Sequence, residues 1–254
     1  MLLAIDIGNT NVTLGVFDGE RLVSTWALAT DVKKTADEYA VLLSSLLTSN
    51  GLAFEDIDET SIACVVPSLL STMEDLCARY VETSPLIVGP GIKTGVRILM
   101  DNPREVGADR IVNAAAAHRI YGGTLIVVDF GTATTFDVIS KNGDYLGGAI
   151  APGIGIMADA LFTRTSKLPH VELVAPEKTI GKNSVEAMQS GIMFGYVGLI
   201  ESLVARIRKE LGEKAKVIAT GGLSALFASE TKLIDIVNKD LTLIGLRLIY
   251  EMNR

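Results

Sequence analysis

The chain has 254 residues, of which 48% are hydrophobic and 21% charged, so it has enough apolar side chains for a buried core. Its formal net charge of −7 argues against nucleic acid or an anionic membrane as the main partner. Cys64 and Cys77 lie in apolar stretches without the spacing of a metal site, which predicts two buried, reduced thiols. Because Met1 leads directly into a strand, we expect a cytoplasmic protein.

Three short strands open the chain, at Met1–Asp6, Asn11–Phe17 and Arg21–Ala27. Asp18-Gly19 is a strong hairpin signal between the second strand and the third. Between the first two strands, glycine, asparagine and threonine crowd together directly after a carboxylate, Asp6. This region is therefore a strand that ends in a polar turn.

The next elements alternate between helices and strands. Thr35 and Glu38 form the pattern of a capping box, and Gly51 supplies the end of that helix. "SIACVV" and "PLIVG" are typical of buried strands, with a helix between them. A further helix runs through "DRIVNAAAAHRIYGG", and the sequence leaves open whether it begins at Asn102-Pro103 or only after Gly107.

The opening pattern returns from Leu125 onward. Asp129 and Gly131 end a second apolar strand with the spacing of Asp6 and Gly8, and two more strands follow. A long helix follows from Ser184 to Leu211. The repetition predicts two similar βββ-α units that face one another, with domains at 1–121 and 122–254.

Turns of this kind can bind phosphate. Tight turns of Gly, Asn and Thr direct several backbone N–H groups one way, which suits an anion, and glycine allows close approach. Asp6 and Asp129 would repel a phosphate unless a cation lay between carboxylate and phosphate, most simply Mg²⁺ held through water or directly. The alternative is a pair of hairpin turns with local hydrogen bonds and no ligand.

A third glycine turn, "ATGG" at Ala219 to Gly222, follows a short strand and could hold an adenine. Together the three turns resemble the superfamily of sugar kinases, actin and Hsc-type chaperones. The resemblance implies an α/β fold of two ribonuclease-H-like (actin-like ATPase) domains in tandem. Each would be a mixed sheet flanked by helices, and the two would clamp ATP.

A segment with acceptor chemistry lies in "NPREVGADRIVNA". Asp109 can accept a proton from a substrate alcohol, and Arg110 can grip a carboxylate with two parallel hydrogen bonds. The alternative is a surface ion pair at a helix N-terminus, where Asp is favoured in any case.

Four motifs occur here in order: D-I-G-N-T-N, N-P-x-E-V-G-A-D-R, D-F-G-T-A-T-T and G-G-x-I-x-P-G. Together they closely resemble the type III pantothenate kinases, which start coenzyme A synthesis in many bacteria, and the resemblance covers essentially the whole chain. It implies ATP-dependent phosphorylation of pantothenate to 4'-phosphopantothenate.

The resemblance also implies roles for individual residues. Asp109 would be the proton acceptor, Asp6 would hold Mg²⁺ through water, and Asp129 would hold a monovalent cation, K⁺ or NH₄⁺. The ATP-binding residues implied are Asp6, Ile7, Gly8, Asn9, Thr10, Asn11, Val12, Thr13, Thr132, Gly221 and Gly222. The substrate-binding residues implied are Met100, Gly107, Ala108, Asp109, Arg110, Gly147 and Ser184.

Two positions depart from the common pattern, since many relatives have tyrosine at Met100 and threonine at Ser184. Serine keeps the hydroxyl, whereas methionine keeps only apolar contact. The resemblance further implies a homodimer in which a second subunit can supply Ser184. Gly191, Gly195 and Gly198 would allow close approach of two helices, and the alternative is packing of that helix within one chain.

Other functions stay open on the residues alone. One is a kinase for another small hydroxy acid or a sugar, another is an ATP-binding regulatory protein, and a third is a structural scaffold of the same fold. The segment Gly107–Arg110 argues against the regulatory protein, because a nucleotide switch needs no acceptor site.

Overall fold

Two units make up the chain in the computed structural model, which describes all residues from Met1 to Arg254. Unit 1 contains Met1–Ile120 together with Asp240–Arg254, and unit 2 contains Tyr121–Lys239. The prediction placed 240–254 in the second half, and for this segment it is wrong.

The strands in chain order are β1 (Leu2–Ile7), β2 (Asn11–Asp18), β3 (Arg21–Ala29), β4 (Glu59–Cys64), β5 (Leu86–Ile87), β6 (Arg97–Ile98), β7 (Leu125–Phe130), β8 (Ala133–Ile139), β9 (Asp144–Pro152), β10 (Lys216–Thr220) and β11 (Ile236–Val237). The helices are α1 (Ala36–Ser49), α2 (Pro67–Leu76), α3 (Ala108–Tyr121), α4 (Ile154–Thr163), α5 (Ser184–Leu211), α6 (Ser224–Glu230) and α7 (Leu241–Asn253). Short helical turns cover Phe54–Asp56, Cys77–Val81 and Pro103–Glu105.

Unit 1 has the strand order β3-β2-β1-β4-β5, in which β1 is antiparallel to β2 and parallel to β4. One face of this sheet packs on α1 and α2, through side chains such as Ile5, Leu14 and Leu43. The predicted capping box fixes the start of α1, since the Thr35 hydroxyl accepts from the Glu38 N–H at 3.3 Å and the Glu38 carboxylate accepts from the Thr35 N–H at 2.8 Å.

The opposite face of this sheet explains why the C-terminal segment belongs to unit 1. Leu243, Leu246 and Ile249 of α7 are buried against Leu2 and Phe17 in a second apolar cluster. This burial removes apolar surface from water on both sides of β1, and nothing in the local pattern of α7 specifies which sheet it will cover.

Helix α7 also holds α3 in place. A side-chain carbon at Gly245 would lie 2.4 Å from the Val112 carbonyl oxygen, so the two helices approach closely only because this residue is glycine. The Thr242 hydroxyl donates to Asn113 Oδ1 at 2.8 Å and links the same two helices. The position of α3 therefore depends on α7.

Unit 2 repeats the arrangement with the strand order β11-β10-β7-β8-β9. Here β7 is antiparallel to β8 and parallel to β10, as β1 is to β2 and β4. Its core places Ile126, Val128 and Phe130 of β7 against Tyr196 and Ile200 of α5. The repeated sheet order confirms the predicted pair of mixed sheets flanked by helices.

Helix α5 is the longest helix, with 28 residues, and it is long and apolar enough to cross a membrane by length and composition alone. Buried side chains along it, among them Met193, Tyr196 and Val204, also give it the character of a core helix of unit 2. Length and composition are therefore weak grounds for a membrane span here.

Candidate active site

The first predicted phosphate turn lies between β1 and β2 and is fixed from the end of β3. The Gly8 N–H donates to the Asn11 carbonyl at 3.0 Å, which closes the turn. Thr30 then holds it twice, because its hydroxyl donates to the Gly8 carbonyl at 2.6 Å and its N–H donates to the Thr10 carbonyl at 2.9 Å. The conformation of the turn is thus fixed by hydrogen bonds within the turn and from Thr30.

Burial varies sharply along this segment. Ile7 and Val12 are fully buried, so they anchor the turn and can meet a ligand only through their backbone. Asp6 and Thr13 are half-buried, and the middle of the turn, formed by Asn9, Thr10 and Asn11, is exposed. The exposed part carries the groups suited to an anion.

The acceptor segment begins α3, and the helix starts after Gly107, which settles the alternative that the sequence left open. The Asp109 carboxylate folds back over the first turn, where it accepts from the Arg110 N–H at 2.8 Å. A side-chain carbon at Gly107 would lie 2.5 Å from that carboxylate oxygen. Glycine at this position therefore makes room for the Asp109 carboxylate.

The end of β4 brings the first turn and the acceptor segment together within unit 1. The Val65 N–H donates to the Ile7 carbonyl at 3.0 Å, and the Val65 side chain lies 3.4 Å from where a side chain on Gly107 would begin. Ile7 is paired with Cys64 across β1 and β4. Both predicted segments lie at the carboxyl edge of parallel strands, which is where α/β sheets bind ligands.

The pKa of Cys64 is affected by its surroundings at this edge of the sheet. Burial raises the pKa of the Cys64 thiol, and the negative charge of Asp6 raises it further. The thiol, which contacts the Val66 carbonyl at 3.2 Å, is therefore held in its neutral form.

The second predicted turn lies between β7 and β8 in unit 2. The Gly131 N–H donates to the Ala133 carbonyl at 3.1 Å, while Gly131 and Thr132 are exposed. The buried Thr134 hydroxyl accepts from the Tyr196 hydroxyl at 2.5 Å, which ties the base of the turn to α5. Burial raises the pKa of Tyr196, so its hydroxyl stays a donor.

The predicted adenosine turn contacts the second turn directly. Gly221 has φ +87°, and a side-chain carbon there would lie 2.6 Å from Asp129 Oδ1 and 2.7 Å from the Phe130 carbonyl oxygen. Both the backbone conformation and the contact require glycine. Gly222, which follows, is exposed and has open space on its side-chain side.

Gly147 is placed differently from its neighbours in the predicted site. It is buried, has φ +117° and pairs with Val138 at an irregularity of β9, several residue pairs from the turn. Gly153, at the other end of β9, is the residue that meets the turn, since its N–H donates to the Thr132 carbonyl at 3.0 Å. The sequence motif G-G-x-I-x-P-G ends at Gly153, but the predicted site residues did not include this glycine.

Met100 and Ser184 stand apart from the residues above. Met100 is half-buried just ahead of the turn that Asn102 caps in unit 1. Ser184 is exposed as the first residue of α5, and the Asn183 side chain caps that helix by accepting from the Glu186 N–H at 2.9 Å. Ser184 makes no hydrogen bond to another predicted site residue.

No group of three or more His, Cys, Asp or Glu residues could hold a metal ion. A cation would therefore rely on single carboxylates together with hydroxyls, carbonyls, water or phosphate, which are the oxygen donors that Mg²⁺ and K⁺ accept. Asp6 in unit 1 and Asp129 in unit 2 each offer a half-buried carboxylate in such surroundings. The donor types present thus fit hard cations.

The comparisons with known proteins agree with the motifs. The family model described as Type III pantothenate kinase matches residues 2–206. A Type III pantothenate kinase from Dehalococcoides mccartyi is 54% identical over 253 residues, which cover 100% of this chain and 96% of the relative. One from Moorella thermoacetica is also 54% identical and is covered completely in both directions.

Solved structures extend the likeness to more distant proteins. The ethanolamine utilization protein EutJ from Carboxydothermus hydrogenoformans gives a TM-score of 0.56 at 18% identity, covering 97% of this chain and 89% of that one. The inorganic polyphosphate/ATP-glucomannokinase from Arthrobacter gives 0.50 at 15% identity, covering 99% and 97%. At these identities the likeness concerns the fold alone.

Proposed function

Because the chain belongs to the type III pantothenate kinase family, we propose that the carboxyl edge of the unit 1 sheet is its acceptor site, with Asp109 as proton acceptor. The chain is a pantothenate kinase, which phosphorylates pantothenate with ATP in the first step of coenzyme A synthesis. The observation that supports Asp109 is the position of Val65, whose N–H donates to the Ile7 carbonyl and whose side chain lies beside Gly107, so that the β1–β2 turn and the acceptor segment share a neighbour.

The chemistry asks little of the acceptor carboxylate. Phosphoryl transfer passes through a loose transition state, so alignment and charge stabilisation supply most of the acceleration. The alcohol proton leaves late, and a carboxylate held at a fixed position suffices to receive it. The hydrogen bond from the Arg110 N–H holds one Asp109 oxygen, and Gly107 leaves room for it.

The remaining groups have separate roles in the proposal. Mg²⁺, when bound, supplies charge stabilisation at the phosphates, and Asp6 would hold it through water. The exposed backbone of Gly8 to Asn11 would bind phosphate oxygens in unit 1. In unit 2, Thr132 would contact ATP, and Gly221 and Gly222 would lie against the adenosine.

The function is tested by ATP consumption with pantothenate, compared with a panel of sugars and other hydroxy acids. Of these acceptors, we expect only pantothenate to support ATP consumption. Consumption with a sugar and none with pantothenate would favour the kinase of a different acceptor.

Arg110 is proposed to bind the pantothenate carboxylate. Replacing it with lysine keeps the charge and removes the planar pair of donors. We expect Arg110→Lys to raise the KM for pantothenate by about tenfold, because one charge-assisted hydrogen bond is lost. The KM for ATP should stay within about twofold. Steady-state kinetics with each substrate varied in turn measures both. A larger change in the ATP value would place Arg110 at the nucleotide.

We further propose that Asp129 holds a monovalent cation, K⁺ or NH₄⁺. The support is chemical, because Asp129 is a single half-buried carboxylate among hydroxyls and carbonyls and belongs to no cluster of acids. Such surroundings suit a singly charged ion better than a dedicated divalent site. The proposal also includes a cytoplasmic location, which the free thiols of Cys64 and Cys77 support.

A homodimer through α5 is the last part of the proposal. The face of α5 that is exposed in the single chain is made of small residues at helical spacing: Ala187, Gly191, Gly195, Gly198, Ser202 and Ala205. A side-chain carbon at any of the three glycines meets nothing within 4 Å, so no contact inside the chain requires glycine there. Exposed apolar residues also lie on α4, which contacts α5, and at the start of α5: Ile156, Phe162 and Val185.

Gly195→Leu tests this interface. Leucine is a better helix former than glycine and has open space in the single chain, so the folded subunit should be at least as stable as wild type. We expect the variant to run as a monomer in size-exclusion chromatography with light scattering, at concentrations where wild type is a dimer. Ser45→Leu on the exposed face of α1 adds the same bulk elsewhere and should leave the dimer intact. A dimeric Gly195→Leu protein would place the interface on another surface.

A further inference from the structure

The two units provide an internal comparison of their carboxylates. Asp6 and Asp129 occupy the same place, each one residue before the end of the first strand of its sheet. Across the neighbouring parallel strand, Asp6 is paired with Ala63, whereas Asp129 is paired with Thr220. The second carboxylate thus has a hydroxyl beside it where the first has only a methyl group.

Thr220 is an unusual residue for its position. It is 1% exposed, and its hydroxyl oxygen is buried without a hydrogen-bond partner. A buried hydroxyl without a partner destabilises a folded protein, whereas valine of the same shape does not. The buried position therefore gains nothing from the hydroxyl unless another state of the site uses it.

The surroundings of Thr220 show which group is within reach. Register partners on adjacent parallel strands direct their side chains to the same face of the sheet, so Thr220 and Asp129 are neighbours there. Oδ1 of Asp129 lies toward Gly221, the residue after Thr220. It is 2.6 Å from where a side-chain carbon on Gly221 would lie and 3.9 Å from the corresponding position on Gly131. Glycine at position 221 therefore leaves free the space that the Asp129 carboxylate needs beside Thr220.

We propose that Thr220 is a positioning residue for Asp129: its hydroxyl donates to the Asp129 carboxylate when that carboxylate binds the monovalent cation. This inference rests on the proposed cation site. Carboxylates that ligate cations are themselves hydrogen-bonded, and this second contact sets their orientation. The Thr220 hydroxyl is then the donor, and the Asp129 carboxylate the acceptor, of one hydrogen bond.

The inference separates the two carboxylates by role. On the neighbouring parallel strand Asp6 faces Ala63, which has no hydroxyl to match that of Thr220. Asp129, oriented by the Thr220 hydroxyl beside it, suits direct ligation of an ion.

The experiment compares Thr220→Val with wild type in two measurements. The first is the melting temperature without substrates, in potassium chloride and in choline chloride at equal ionic strength. The second is the potassium concentration that gives half-maximal kinase activity. Valine removes the donor and keeps the shape, so we expect the melting temperature in choline chloride to equal or exceed that of wild type.

In potassium chloride the two proteins should differ. We expect Thr220→Val to lose most of the potassium-induced rise in melting temperature and to need about tenfold more potassium for half-maximal activity. Thr220→Ser keeps the hydroxyl and should restore both values. Thr60→Val is the matched control, because Thr60 is equally buried but hydrogen-bonds to Thr83 at 2.9 Å. It should lower the melting temperature in both salts and leave the potassium dependence unchanged.

Each remaining outcome is decisive. If wild type responds to potassium and Thr220→Val responds equally, the inference is wrong and the cation site stands. If wild type gains neither stability nor activity from potassium or ammonium, the cation site and the inference are both wrong. If Thr220→Val fails to fold, Thr220→Ala, which copies Ala63 of unit 1, takes its place in the same two measurements.

Discussion

Replacing Asp109 with asparagine should lower kcat for pantothenate phosphorylation by about 10²–10⁴-fold, the usual contribution of a positioned proton acceptor. Asparagine keeps the size and still accepts the Arg110 N–H through its carbonyl oxygen, so the start of α3 is preserved. It cannot take up the alcohol proton. The loss should therefore appear in kcat, while the affinity for ATP stays within about twofold.

The measurement combines initial rates at saturating substrates with ATP affinity by calorimetry. Asp101→Asn is a suitable control, because Asp101 is an exposed carboxylate in the loop ahead of the same helix and lies outside the proposed site. It should retain wild-type kcat. If Asp109→Asn also retained wild-type kcat, Asp109 would have no part in the proton transfer and would be an N-terminal helix residue only.

Asp6→Asn should lower kcat by about 10³-fold or more. The Asp6 charge is the one that would hold Mg²⁺ at the phosphates, and asparagine offers only a neutral oxygen. The turn itself should survive, since its hydrogen bonds from Gly8 and Thr30 involve the backbone and the Thr30 hydroxyl. The defect should be partly relieved by raising the magnesium concentration.

Kinetics over a range of magnesium concentrations checks this prediction. Asp18→Asn provides the comparison, because Asp18 is an exposed carboxylate at the far end of the same β1–β2 hairpin. We expect that variant to be indistinguishable from wild type. Retained activity in Asp6→Asn at low magnesium would mean that the metal is held elsewhere.

Local chemistry made much of the fold predictable. The capping box at Thr35 and Glu38 formed as expected, because both partners lie within one turn. The repeated strand–carboxylate–glycine pattern also predicted two similar units, and the two sheets do share a strand order. The capping box joins residues close in sequence, and the repeated units can be predicted because one local pattern returns along the chain.

The errors and omissions come from contacts between residues distant in sequence. The pattern of α7 shows an apolar face but not that this face covers β1 and β2, more than 200 residues earlier. The prediction that residues 240–254 belong to the second domain was therefore wrong. Val65 links the first turn to Gly107 through contacts that no local motif encodes. Thr220 gave no signal, because only the pairing with Asp129 makes its hydroxyl meaningful.

The return of α7 to unit 1 sets an order on events during synthesis. A ribosome that has reached residue 239 has synthesised every element of unit 2, whereas the sheet of unit 1 still lacks the helix that covers one of its faces. That uncovered face exposes Leu2, Ala4 and Phe17 to water and to other nascent chains. The half of the protein that is translated first is thus the half that completes its core last, and it is the half that carries Asp109.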